Sequence, residues 1–162
     1  MSKVTILCAI QTNPIDRYLR ENNPPRDVSI NLTEVATEIP VRMVDDIPNS
    51  ERPKYLPKPE LEGQYNLETP LNPDEMVEIR LISFDSQAYA DGDIFMRGVG
   101  ATDPSKIVFD PKKPIIILGR TLTAYANNVD TGEKGWDYRI LFQYKGYEFY
   151  WDPIFKIPRS IQ

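Results

Sequence analysis

The sequence contains no histidine, which excludes catalytic triads built on imidazole and metal sites with histidine ligands. Its single cysteine, Cys8, excludes an intrachain disulfide and any Cys-x-x-Cys pair. Cys8 lies in an apolar stretch with neither a base nor a cation beside it, so we interpret it as a small buried side chain.

Long hydrophobic runs are also missing, since no stretch approaches the roughly 20 apolar residues that a membrane-spanning helix needs. The apolar residues up to Ile10 are followed at once by Gln11 and Asn13, so we interpret the N terminus as a strand rather than a signal peptide and expect a cytoplasmic protein. The net charge of −5 argues against binding to nucleic acids or anionic membranes. Neutral molecules or further copies of the chain are the expected partners, and no cofactor is expected.

The N-terminal part predicts one strand followed by one short helix. Residues 2–10 are apolar enough for a strand that is buried on both faces. Thr12 or Asn13 is suited to cap a helix over residues 15–21, with Pro14 in its first turn. The two prolines that follow stop this helix.

The middle of the chain is rich in proline, because nine of the fifteen prolines lie within residues 24–75. Residues 35–44 can form an edge strand despite Pro40, since an edge position tolerates a missing N–H group. Residues 48–59 predict an extended surface segment. The flanking parts are too small for separate domains, so we expect residues 1–162 to form one sandwich with long connections.

The remaining sequence carries the strongest strand signals. Alternating or apolar stretches predict strands at residues 76–82, 89–97 and 115–125, with residues 115–118 as a central strand. No apolar period of 3.6 residues persists long enough for a substantial helix. The expected fold is an all-β, antiparallel β-sandwich with a short helix after the first strand and an aromatic hairpin near the C terminus.

The terminal hairpin is the most specific structural prediction. Large apolar side chains alternate with polar ones on both sides of Lys145-Gly146, which suits a tight two-residue turn. If this turn forms, facing residues have numbers that add to 291. The predicted pairs on one face are Tyr144–Tyr147, Phe142–Phe149 and Ile140–Trp151, and those on the other are Gln143–Glu148, Leu141–Tyr150 and Arg139–Asp152. Such pairs stabilise one register.

The segment Gly146-Tyr-Glu-Phe-Tyr-Trp-Asp-Pro-Ile154 resembles the closing G-Y-x-Y-W-D-P-x-I segment of the PixA/AidA-type bacterial inclusion-body proteins. The N terminus is similar too, with Gln11-Thr12 followed by Ile15 and Tyr18, although the family usually has Asp where Gln11 stands. The resemblance implies a β-sandwich, accumulation in the cytoplasm as dense inclusions, and no known catalysis. It also implies carbohydrate binding by some members, of galactose-type sugars in particular.

Sugar binding requires an aromatic face for the ring C–H groups and planar polar groups for the hydroxyls. A Gly-rich loop and the strand after it bring such groups together in Asn127, Asn128, Asp130, Trp136 and Asp137. The alternative is a solvated loop with Trp136 turned into the core.

Trp151 and Asp152 form a second pair of sugar candidates, close to Arg139 in the expected register. The alternative is that Trp151 packs inward while Asp152 pairs with Arg139. Two further acidic stretches, at residues 45–46 and 91–93, have the oxygen ligands that Ca²⁺ prefers but no EF-hand spacing, so they are interpreted as turns and no metal site is assigned.

No spacing among the 24 acidic residues singles out a catalytic pair of carboxylates, so an enzyme is not expected. Two functions stay open. The first is a lectin-like, oligomeric module that binds a neutral glycan with multivalent avidity. The second is a self-assembling structural or storage protein of inclusion bodies without a small-molecule ligand.

Overall fold

A computed structural model describes residues 2–52, 65, 67–83 and 94–159. Within these residues the chain forms one α-helix, two short 3₁₀ turns and eleven strands. In chain order the helix and strands are β1 (Lys3–Ile10), α1 (Thr12–Asn22), β2 (Ser29–Asn31), β3 (Val41–Asp45), β4 (Glu68–Pro70), β5 (Met76–Ser83), β6 (Ile94–Ala101), β7 (Ile116–Leu118), β8 (Thr121–Tyr125), β9 (Trp136–Tyr144), β10 (Tyr147–Trp151) and β11 (Ile154–Lys156).

The strands form two sheets. The first has the order β3-β1-β5-β8-β7, and the second has the order β2-β10-β9-β11-β4 with β6 paired to the other side of β9. Inward side chains of both sheets belong to one buried cluster, and the indole N–H of Trp151 in the second sheet donates to the sulfur of Met43 in the first, at 3.3 Å. The predicted all-β sandwich is therefore confirmed.

The sheets are mixed rather than purely antiparallel as expected. Three strand pairs run parallel: β1 with β5, β2 with β10, and β4 with β11. A parallel pair requires a long crossover connection between its strands. The connection from β1 to β5 passes through the proline-rich part of the chain, whose described residues add β3 to the first sheet and β2 and β4 to the second.

Helix α1 begins and ends close to the predicted positions, but its cap differs from the prediction. Gln11 occupies the N-cap position without a capping hydrogen bond from its side chain, and Thr12 is already the first helical residue and is buried. Asn23 ends the helix in a left-handed conformation, and its N–H donates to the carbonyl of Leu19 at 3.1 Å. Pro24 and Pro25 follow, as predicted.

The C-terminal hairpin has the predicted register. Tyr144 pairs with Tyr147, and the four pairs beyond them, as far as Ile140 with Trp151, also add to 291. Lys145 and Gly146 have φ values of 52° and 80°, which identifies the tight primed turn. The even-numbered face of β9 and the odd-numbered face of β10 are buried, so the aromatic side of the hairpin is core.

The strand predicted over residues 115–125 is two strands, because the chain turns at Gly119 and Arg120. Residues 115–118 were expected to be central, and this is wrong: β7 is an edge strand whose residues are all exposed. An apolar run predicts a strand but does not show whether that strand is central or at an edge. Its position depends on whether a further strand, from a distant part of the chain, pairs with its outer side.

Two other strand predictions differ at their ends. The edge strand expected over residues 35–44 is an edge strand, but it begins only after Pro40. Strand β6 begins at Ile94, and residues 89–93 of the predicted strand lie outside the described residues. Of the extended segment predicted over residues 48–59, only 48–52 are described, and they contain a 3₁₀ turn.

Candidate functional site

The loop between β8 and β9, where sugar binding was predicted, uses its polar side chains to fold itself. The Asn127 amide donates to the carbonyl of Ile107 at 2.9 Å, and its oxygen accepts from the N–H of Asn128 at 2.9 Å. Asp130 accepts from the N–H of Gly132 at 2.9 Å. Asn128 and Asp130 are exposed, whereas Asn127 is half-buried. The alternative of a solvated loop therefore describes much of this segment.

The same loop is attached firmly to strand β11 and the residue after it. Thr131 exchanges backbone and side-chain hydrogen bonds with Ile157 at 2.8 to 3.2 Å. A β-carbon on Gly135 would lie 2.7 Å from the carbonyl oxygen of Phe155, so the chain approaches too closely for any other residue. Trp136 is half-buried and packs against the core.

Trp151 and Asp152 have separate environments although they are neighbours. Trp151 is 1% exposed and packs edge-to-face on Phe142, so neither face of its ring is open to a ligand. Asp152 points to the outer side of the second sheet, where its Oδ1 lies 3.6 Å from Nε of Arg139. Trp151 thus packs inward while Asp152 lies beside Arg139, as in the structural alternative to sugar binding by this pair.

Four side chains on that outer side form a group that we call the outer-face cluster: Asp137, Arg139, Tyr150 and Asp152. The Arg139 guanidinium lies 4.0 Å from the centre of the Tyr150 ring. Burial raises the pKa of Asp152 above its ordinary value, Arg139 opposes this shift, and the negative charge of Asp137 adds to it. Asp137 and Asp152, both predicted sugar ligands, are thus close enough to interact.

Space is open beside the outer-face cluster. Gly100 of β6 pairs with Arg139, and a β-carbon added there would meet no atom within 4 Å. Nε of Arg139 and Oδ1 of Asp152 are shielded from water and face each other at 3.6 Å, so a ligand at this place would meet the other polar atoms of the two side chains.

A cleft between α1 and the turn of the C-terminal hairpin was not predicted. This α1–hairpin cleft has a volume of about 310 Å³ and is lined by Asp16, Leu19, Arg20, Arg26, Lys145 and Tyr147. Only the topology brings these residues together, since 119 positions separate Arg26 from Lys145. The available signal was the presence of two arginines on either side of the helix-terminating prolines in an acidic chain.

The acidic centre of this cleft is Asp16. Its Oδ1 accepts hydrogen bonds from the Tyr144 hydroxyl at 2.9 Å and from Nζ of Lys145 at 2.8 Å. The bond to Asp16 raises the pKa of Lys145, and burial followed by the bond to Asp16 raises the pKa of Tyr144. Lys145 is therefore protonated and Tyr144 neutral at pH 7.

Exposed apolar residues are concentrated at one edge of the first sheet. Among the described residues eight large apolar side chains are exposed, and five of them form what we call the β7 edge patch: Phe95, Ile115, Ile116, Ile117 and Leu118. Phe95 lies on β6 of the second sheet, and this part of β6 is adjacent to the β7 edge because the N–H of Met96 donates to the carbonyl of Gly119 at 2.9 Å.

Reactive groups have environments that suppress reactivity. Cys8 is buried, and burial raises the pKa of its thiol far above the ordinary value. Asp45, one of the acidic residues considered for Ca²⁺, is buried in an ion pair with Arg52, and Asp91 and Asp93 lie outside the described residues. Within the described ranges no group of three acidic or cysteine residues is close enough to hold a metal, and no helix is long and apolar enough to cross a membrane.

Comparisons with known proteins give one kind of match. No family model matches the chain, and no curated protein is similar to it in sequence. The crystal structure of the inclusion body protein PixA from Burkholderia cenocepacia J2315 is similar with a TM-score of 0.59, over 95% of each chain and with 15% sequence identity. The resemblance to PixA/AidA-type proteins that the segment 146–154 indicates is therefore confirmed at the level of the fold. This chain has the fold of a PixA inclusion body protein.

Proposed function

We propose that this chain is a non-enzymatic, cytoplasmic protein that assembles with copies of itself through the β7 edge patch. The observation that carries the proposal is the exposure of four consecutive apolar residues at a sheet edge: 43% for Ile115, 50% for Ile116, 38% for Ile117 and 75% for Leu118. The PixA structure with the same fold is that of an inclusion body protein, which agrees with self-association.

The backbone of β7 is suited to pair with another strand. In a two-residue hairpin the residues beside the turn form a hydrogen-bonded pair and the pattern then alternates. Leu118 pairs with Thr121 across the turn, so the N–H and C=O of Ile117 point away from β8. A second copy of β7, placed antiparallel across a two-fold axis, offers the same groups in return.

Protective features that usually block such pairing are absent from β7 itself. Natural edge strands carry charged residues, prolines or bulges that discourage contact with other chains. Both edge strands of this sheet begin within two residues of a proline, but β3 at the opposite edge also carries a charged residue, Arg42, in an ion pair with Glu38. No charged residue or proline lies within Ile116–Leu118.

The size of the β7 edge patch fits a second copy. With roughly 200 Å² of surface for a fully exposed large apolar side chain, the exposed fractions amount to about 500 Å². Two copies would bury about 1,000 Å² in total, which is near the lower limit for a specific interface. The net charge of −5 opposes association, and salt screens this repulsion.

Sedimentation as a function of protein concentration tests this proposal. The wild type is expected to shift from monomer to larger species with concentration, and more strongly at high salt. Ile117→Lys is expected to stay monomeric with unchanged unfolding, whereas Val28→Lys, at an exposed apolar residue outside the patch, should behave as wild type. Equal association of Ile117→Lys and the wild type would refute the proposed contact.

Carbohydrate binding is the second candidate, and the outer-face cluster favours it. Asp137 and Asp152 provide acceptors and Arg139 a donor for sugar hydroxyls beside the open space at Gly100. A self-associating protein that carries such a site would present it many times, which raises avidity. A galactose-type sugar is the ligand class that the sequence resemblance implies.

A glycan array with and without Ca²⁺ and EDTA tests this second candidate. Binding to one terminal sugar that is lost in Asp152→Asn and retained in Asp130→Asn would place the site at the outer-face cluster. The reverse pattern would place it in the loop with Asn127, Asn128 and Trp136. A blank array from folded protein would count against carbohydrate binding altogether.

A further inference from the structure

We propose that the α1–hairpin cleft is a binding site for a small organic anion, with Arg20 and Arg26 as the residues that recognise its phosphate or carboxylate group. None of its residues belongs to the β7 edge patch or the outer-face cluster. The site is therefore independent of both proposals above.

The charge balance of the cleft favours an anion. Lys145 is engaged by Asp16 at 2.8 Å, so these two opposite charges offset each other. Arg20 and Arg26 then add two positive charges. In the part of the chain that the structure describes, neither makes an ion pair with a carboxylate, although the protein carries 24 acidic residues against 19 basic ones.

Arg26 is held in place without an anionic partner. Its Nη1 donates to the carbonyl of Lys145 at 2.9 Å, and its guanidinium lies 4.4 Å from the centre of the Tyr147 ring. A β-carbon at Gly146 would overlap Nη1, so any other residue at this position would displace the guanidinium from its present place. The guanidinium has five N–H donors, and only Nη1 makes a hydrogen bond in the described part of the chain. The stacking on Tyr147 uses a face of the guanidinium and none of its N–H groups, so the remaining donors can bind a ligand.

The second guanidinium comes from the helix. Arg20 lies in the last turn of α1 and is exposed, and its guanidinium makes no hydrogen bond or ion pair within the described residues. A guanidinium can donate two parallel hydrogen bonds to two oxygens of one phosphate or carboxylate group. Two arginines in one cleft therefore favour a ligand group with two or three such oxygens.

The walls and size of the cleft define the rest of the ligand. Leu19 and Tyr147 provide apolar surface, and Asp16 provides an acceptor that suits a hydroxyl. A volume of about 310 Å³ is at the lower end of the range for small-molecule sites. A phosphorylated sugar or a sugar acid has this combination of charge, hydroxyls and size.

Calorimetric titration with inorganic phosphate, glucose 6-phosphate, glucuronate and neutral glucose, at constant ionic strength, tests the proposal. We expect binding of at least one anion and none of glucose, and comparison of the phosphates with glucuronate identifies the recognised group. Arg20→Gln and Arg26→Gln should each weaken binding about tenfold or more, since each removes charge-assisted hydrogen bonds.

Arg17→Gln is the matched control, because Arg17 is exposed on the same helix but lines a different cleft. It should bind as the wild type does. Arg20→Gln removes no contact within the described structure, so its effect reports on the ligand even if Arg26→Gln unfolds the turn. No binding of any anion at about 10 mM, where even a millimolar site would be nearly saturated, or equal weakening by Arg17→Gln, would overturn the proposal.

Discussion

At the scale of single residues, Asp16 connects the helix to the C-terminal hairpin. Its carboxylate accepts from a tyrosine hydroxyl and a lysine ammonium that are 128 and 129 positions away in the sequence. These contacts hold α1 to the turn of the hairpin and define one wall of the α1–hairpin cleft.

These contacts predict a loss of stability at alkaline pH. The pKa of Lys145 is raised above 10.5 in the folded protein, so its contribution is present below that pH and is lost as the pH rises through the folded pKa. The pKa of Tyr144 is raised above 10.0, so the unfolded chain releases this proton first and stability again falls as the pH rises.

Asp16→Asn tests this account by chemical unfolding at about pH 8 and above pH 10.5. The wild type should be more stable than the variant at the lower pH, and the difference should shrink at the higher pH. Asp74→Asn, which removes an exposed partner of Lys113, is the control and should keep the wild-type pH profile. A difference that stays constant with pH would contradict the assigned role of Asp16.

At the scale of elements, the loop between β8 and β9 depends on two glycines with positive φ in different surroundings. Gly132 has a φ of 75° and open space around it, whereas Gly135 has a φ of 69° and lies against the backbone of Phe155. Gly132→Ala should cost about 1 kcal/mol of backbone strain. Gly135→Ala should cost about 3 kcal/mol or more, because overpacking adds to the strain.

Urea unfolding of the two variants measures this difference, since each changes one glycine of the same loop by one methyl group. If Gly135→Ala lowers the free energy of unfolding no more than Gly132→Ala does, the loop can move away from β11 without loss of stability. The close approach would then not be what anchors this loop.

The hairpin and β7 mark what can be predicted from sequence. The register of β9 and β10 is local, because a two-residue turn and an alternating pattern fix each pair, including Phe142 with Phe149. The parallel pairing of β1 with β5 and the edge position of β7 depend on strands distant in sequence. The sequence pattern of an apolar stretch such as Ile115–Leu118 is the same in a central strand and in an edge strand.

The candidate sites follow the same division. The proximity of Asp152 to Arg139 was predictable, because it follows from the hairpin register. The burial of Trp151 was one of two alternatives that the pattern left open. The cleft with Arg20 and Arg26 was not predictable, because its residues come from a helix, a loop and a turn that only the complete fold brings together.

At the scale of the whole molecule, two buried ion pairs hold distant segments to the sandwich. Arg52 pairs with Asp45 with both side chains fully buried, and it also donates to the carbonyl of Glu68 at 3.2 Å. Arg159 pairs with Glu75, which ties the C-terminal part to the start of β5. Apolar periodicity gives no signal for either pair.

Breaking the first pair should be strongly destabilising. Arg52→Met removes one partner of a fully buried ion pair, which costs about 3–5 kcal/mol in comparable cases. Lys113→Met, which removes an exposed ion pair with Asp74, should change the free energy of unfolding by no more than about 1 kcal/mol. Urea unfolding compares the two, and equal small effects would contradict the stabilising role assigned to the buried ion pair.

The central claim is that copies of the chain associate by pairing their β7 strands. Residue-resolved amide hydrogen exchange at low and high protein concentration tests it most directly. The N–H of Ile117 points away from β8, so it should exchange rapidly in the monomer and become protected as association proceeds. Association without any added protection of Ile117 would contradict edge pairing and place the contact between copies on another surface.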